Sequence, residues 1–149
     1  MTPLDPTPLV IAQNIQLAVA PVFLLSAVGI LLTVLTNRLA RVIDRARKLE
    51  DMAPAVASGP DLRERQEQLR VLARRARMLN RAITASVVCA LLVAFVVVAI
   101  FVNEFVGFDM SATIAVLFIL AMLTFIAGLL LFLREVFLAI GALRLGQKR

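Results

Sequence analysis

The chain has 149 residues, of which 61% are hydrophobic and 17% charged, and a mean hydropathy of +0.93. That balance excludes an ordinary water-soluble domain, in which about half the residues are apolar and about a quarter are charged. The formal net charge of +6 is unevenly placed: of 16 Lys and Arg, twelve fall between Arg38 and Arg81, four lie from Arg134 onward, and none precedes Arg38.

Residues 1–14 carry no basic side chain, and the first eight are polar and rich in proline. Without a positive n-region, and with an apolar run too long for an h-region behind them, they are not expected to be a cleaved signal. Thr7 followed by Pro8 suits an N-cap and a first helical position. This stretch reads as a short extracytoplasmic N-terminus and the start of a helix.

Three apolar runs follow, at 15–36, 82–102 and 112–133. Each matches the ~20 residues that carry a helix across ~30 Å of hydrocarbon. Pro21, early in the first run, cannot donate to Leu17 and is expected to kink the helix there. Gln13, Asn14 or Gln16 could satisfy the freed carbonyl, or could equally face water.

Basic residues concentrate on the cytoplasmic side of a membrane protein. Residues 103–111 carry Glu104 and Asp109 but no Lys or Arg, and so are expected outside. The basic segment 37–81 and the tail 134–149 are expected inside, with the N-terminus out and the C-terminus in.

The segment 37–81 reads as an antiparallel helical hairpin. Leu35, Leu39, Val42, Ala46 and Leu49 form an apolar seam that continues the first span. Leu69, Leu72, Ala76, Leu79 and Ile83 repeat the pattern into the second span. Between them, about 52–60, Pro54, Gly59 and Pro60 supply turn chemistry, and Asp61 with Glu64 resembles a capping arrangement. The predicted fold is therefore all-α and integral to the membrane, with three transmembrane helices and a cytoplasmic hairpin formed by extensions of the first two.

IQLAVAPVFLLSAVGILLTVLTNRLARVIDRA (15–46), ARRARMLNRAI (73–83) and LLFLREV (130–136) resemble the bacterial membrane family known as domain of unknown function 2721. The likeness runs in order from about Ile11 to Leu145, and its TNRLARVIDRAR stretch is fairly specific. It implies a three-span protein of the bacterial inner membrane and carries over no activity or substrate.

Two faces stand out within the spans. Ser26, Gly29, Thr33 and Asn37 lie within about 80° of one another on the first helix. Such a face can let helices approach closely, which is the simpler reading, or can line a hydrated pathway in an oligomer. On the third helix Thr113, Ala121, Thr124, Gly128, Glu135, Ala139, Ala142 and Gly146 share a face. This predicts a helix that runs past the membrane to about Leu145 and turns Glu135 inward.

Arg134 and Glu135, adjacent in sequence, point about 100° apart and cannot pair side by side. Near the cytoplasmic boundary, Glu135 is within reach of Asn37, Arg38 and Arg41 on the first helix or of Arg77 and Arg81 on the second. A structural ion-pair clamp is the simpler reading and a gating or proton-linked role the alternative.

The function classes thin out accordingly. Zero histidines, one cysteine and no clustered carboxylates leave no catalytic, cofactor or metal site to name. Cys89 reads as a small packing residue. The segment 37–81 has no aromatic residue to interleave with its cations, which argues against nucleic acid.

The expectation is a non-enzymatic, homo-oligomeric membrane protein of structural or regulatory role. Its hairpin would engage anionic lipid headgroups or a protein partner. The alternatives are a small oligomeric pore lined by Ser26, Thr33 and Asn37, and an accessory subunit of a membrane enzyme or transporter.

Overall fold

The structure is a computed structural model and describes residues 8–51, 59–106 and 110–145. Every described residue but Met110 is α-helical, in three helices: α1 (Pro8–Asp51), α2 (Gly59–Val106) and α3 (Ser111–Leu145). All three contain a stretch long and apolar enough to cross a bilayer, so the chain is built as a multi-pass membrane protein.

The helix ends follow from local chemistry. α1 begins at Pro8, whose fixed φ and missing N–H suit a first helical position. Thr7, its expected cap, lies outside the described residues. α1 is unbroken through Pro21, whose ring is buried, and continues to Asp51, so the first span and the basic arm beyond it are one helix. α3 ends at Leu145, the length that its small-residue face predicts, although Gly146 and the side chains of Ala139 and Ala142 lie outside what is described.

Two expected boundaries shift. The start of α2 is Gly59, two residues ahead of the expected cap at Asp61. Pro60 explains the shift, because it needs no hydrogen-bonded N–H in a first turn, and it leaves Asp61 near the positive end of the helix dipole. At the other end α2 continues over 103–106, four residues expected in the link. Asn103 remains helical and takes a linking role through its side chain: its Oδ1 accepts from the Met110 amide at 2.9 Å. The Met110 carbonyl in turn accepts from Ile114 N at 3.0 Å, which opens α3.

By contacts the chain forms two compact units, Met1–Leu31 with Ala85–Ile126, and Leu32–Thr84 with Ala127–Arg149. In the first, Val28, Cys89, Val93, Val96 and Ala121 are buried, while large apolar side chains such as Phe23 (72% exposed) face out. Exposed groups of that size are stable where the surrounding medium is itself apolar.

In the second unit Leu35, Val42, Leu72 and Leu79 are buried, and Leu39, Ala46, Leu49, Leu69, Ala76 and Ile83 are half-buried. The period that defines the two seams is thus the period of burial. Truncating a fully buried seam residue should cost most: Leu79→Ala is expected to lose about 2–5 kcal/mol. The exposed neighbour change Val71→Ala should lose within about 0.5 kcal/mol. Thermal unfolding of the two variants in one detergent checks this, and equal losses would contradict the assignment.

Candidate functional site

Glu135 is buried in the second unit, with 1% of its side chain exposed, and is its one buried charge among the described residues. A carboxylate so far from solvent is stable only when its charge and its lone pairs are matched. Here each oxygen has its own guanidinium. Arg38 Nη1 on α1 donates to Oε2 at 3.0 Å, and Arg75 Nη2 on α2 donates to Oε1 at 2.8 Å.

A third contact holds Arg38. Its guanidinium carbon lies 5.0 Å from the centroid of the Phe132 ring, within cation–π range. Phe132 precedes Glu135 by three residues on α3, so ring and carboxylate emerge on neighbouring positions of one helix face. Arg38 therefore lies between a π face and a carboxylate, both supplied by α3.

Arg38, Arg75 and Glu135 line a cleft of about 280 Å³ together with Arg41, Val42, Arg45 and Leu72. Four guanidiniums thus border one space with one carboxylate among them. Arg41 is exposed and its Nε makes a long hydrogen bond, 3.4 Å, to the Asn37 carbonyl. Arg45 is also exposed. Arg75 Nε is buried and makes no hydrogen bond among the described residues.

The helical wheel explains which arginines arrive. Taking Leu72 as the centre of the α2 seam, Arg75 lies about 60° away, whereas Arg77 and Arg81 lie about 140° and 180° away. Arg77 and Arg81, expected as partners of Glu135, are exposed and Arg75 takes their place. Arg134 is exposed too, about 100° around α3 from Glu135. On α1 the same measure from Leu35 puts Arg38 about 60° off the seam, with Arg45 and Arg41 at about 80° and 120° on the same side. Arg75 was legible by this geometry but not by its nearness in sequence to the apolar span.

The other candidate residues separate into two environments. Ser26, Gly29, Thr33 and Asn37 are all exposed, and a Cβ added at Gly29 would meet nothing within 4 Å. Thr124 is half-buried and Gly128 buried. Hydroxyls in the helices bond to their own backbone: Ser26 Oγ to Val22 O at 3.3 Å, Thr36 Oγ1 to Leu32 O at 2.9 Å, and Thr124 Oγ1 to Leu120 O at 2.7 Å. Such bonds satisfy a hydroxyl without water.

A second concavity, about 650 Å³, lies in the first unit, where Leu17, Pro21, Ile100 and Phe118 supply an apolar wall and Gln13 and Asn103 polar edges.

A family model described as "Protein of unknown function (DUF2721)" matches residues 18–145, which include Arg38, Arg75 and Glu135. No curated protein and no solved structure matches the chain.

Removing the shared carboxylate leaves two partly buried guanidiniums facing each other. Glu135→Ala should therefore cost about 3 kcal/mol, the low end for a broken buried pair because both arginines keep some solvent. Arg134→Ala, on the neighbouring exposed residue, should stay within about 0.5 kcal/mol. Melting curves in detergent that show the two variants alike would contradict the clamp.

Proposed function

The chain belongs to the DUF2721 family of proteins of unknown function, and from that starting point we propose a non-enzymatic role at the bacterial inner membrane, as a multi-pass protein whose basic helices engage anionic lipid headgroups. In this reading residues 103–111, the last turn of α2 and its connection to α3, face outward and the arginine-bearing arms of α1 and α2 face the cytoplasm as a helical hairpin. The observation that carries the reading is the placement of exposed arginines directly beside the apolar runs, after that of α1 and before that of α2. Arg41, Arg45, Arg74, Arg77 and Arg81 are all exposed, and the link at the opposite ends of α2 and α3 has no basic residue at all.

Anionic headgroups attract such cations at ~1 kcal/mol each. The helices supply the spacing. Arginines at intervals of three and four recur along one side of a helix, and lipid phosphates accept their fork of N–H donors in pairs. A reading as a pore would require the Ser26, Thr33 and Asn37 face to border water. The Ser26 hydroxyl already has an acceptor in its own helix, which suits that face equally to lipid or to a second copy of the chain.

Two measurements test the proposal. A periplasm-active reporter fused after residue 149 should stay silent, and a cytoplasm-active one should respond; the opposite pattern would refute the orientation. Purified full-length protein should retain anionic lipid over neutral lipid, with the preference shrinking as salt rises from about 0.05 to 0.5 M and the Debye length contracts. Retention indifferent to both headgroup and salt would refute the adhesion.

A further inference from the structure

Diffuse attraction to a charged surface needs no particular arrangement of arginines, yet four of them here border one cleft. Arg38, Arg41 and Arg45 stand at i, i+3 and i+7 on α1, and Arg75 reaches the same space from α2. Glu135 neutralises one of the four charges, which leaves a formal +3 facing a space of about 280 Å³.

The carboxylate does not compete for every donor. It engages Nη1 of Arg38 and Nη2 of Arg75, one nitrogen from each guanidinium. A guanidinium carries five N–H donors, so most are not used by the carboxylate. Arg75 Nε is buried without an acceptor among the described residues, and a buried donor in that state favours an acceptor brought to it. Glu135 and Phe132 meanwhile hold Arg38 in place, and Glu135 holds Arg75, so that two of the four arginines are fixed in advance. Fixed donors lose less conformational entropy when a ligand arrives.

We propose that this cleft is a discrete binding site for one phosphate group, with Arg41 and Arg45 closing over an anion whose other side meets the Glu135-anchored guanidiniums of Arg38 and Arg75. The inference rests on the adhesion reading above and narrows it from a charged surface to one stoichiometric site. A phosphate group suits converging guanidiniums because its oxygens are arranged tetrahedrally rather than in one plane: a monoester offers three terminal oxygens, more than one arginine can use, and a diester offers two terminal and two weaker ester oxygens. The phosphate can belong to a lipid headgroup or be free in solution.

Arg41 and Arg45 are exposed and form no ion pair with Glu135, so each can be removed without opening the clamp. Arg47 is exposed, on the same helix, and outside the cleft, which makes Arg47→Ala a control of equal charge change. Full-length protein in neutral detergent is titrated with phosphatidylglycerol, phosphatidylcholine and inorganic phosphate, and the bound species are counted by native mass spectrometry.

One phosphatidylglycerol per chain is expected, with binding weakened about tenfold by Arg41→Ala or Arg45→Ala and less than twofold by Arg47→Ala. Inorganic phosphate bound with the same dependence on the variants, in place of the lipid, would support the site and assign it to a free anion. Equal weakening by all three variants would overturn the site and leave the diffuse adhesion standing. Phosphatidylglycerol held no better than phosphatidylcholine, with inorganic phosphate unbound, would overturn both.

Discussion

A carboxylate withdrawn from water must be matched where it stands, and in this protein the match comes from two other helices. Glu135 on α3 receives Arg38 from α1 and Arg75 from α2, so a single buried charge ties together the three helix segments of the second unit. Apolar packing alone would hold these segments with some freedom to slide or rotate. Two charge-assisted hydrogen bonds of 3.0 and 2.8 Å, aimed at different oxygens, fix both the rotation and the height of each helix. Buried ion pairs are poor sources of net stability, and specifying one arrangement is the use that suits this one.

The first unit is governed by the opposite constraint. Its large apolar side chains face outward, its core is made of small and medium residues, and the Ser26 and Thr124 hydroxyls bond to their own helix. Each of these features suits surroundings without water. Each of the three helices therefore passes from a stretch specified by its lack of polar demand to one specified by a polar demand met in a single way. Arginine suits the second stretch because its long apolar stem can run along the helix surface while its head reaches a partner.

Much of this was legible in the sequence. The seams at Leu35, Leu39, Val42 and at Leu69, Leu72, Ala76, Leu79 have the period that burial follows, and Pro8 and Leu145 bound their helices where composition places them. Glu135 could be turned inward from its alignment with Gly128 and Ala121. Its α2 partner was harder to read because five arginines crowd residues 70–81 and nearness to the apolar span favours Arg77 and Arg81. The angle from the seam, rather than the distance along it, decides for Arg75. The helical stretch 103–106 was hidden for a different reason: its helix end depends on a hydrogen bond from Met110 to the Asn103 side chain, seven residues apart, which no local pattern announces.

The central claim, that one carboxylate shared by two guanidiniums sets the arrangement of the second unit, is tested most directly by comparing a single replacement with a complete one. Glu135→Leu alone strands two partly buried cations, whereas Glu135→Leu combined with Arg38→Met and Arg75→Met replaces the whole group by apolar side chains of similar size. Unfolding in a common detergent should show the single variant destabilised and the triple variant restored most of the way to the parent. A triple variant that loses as much as its three changes measured separately would contradict the account, because the three residues would then act independently.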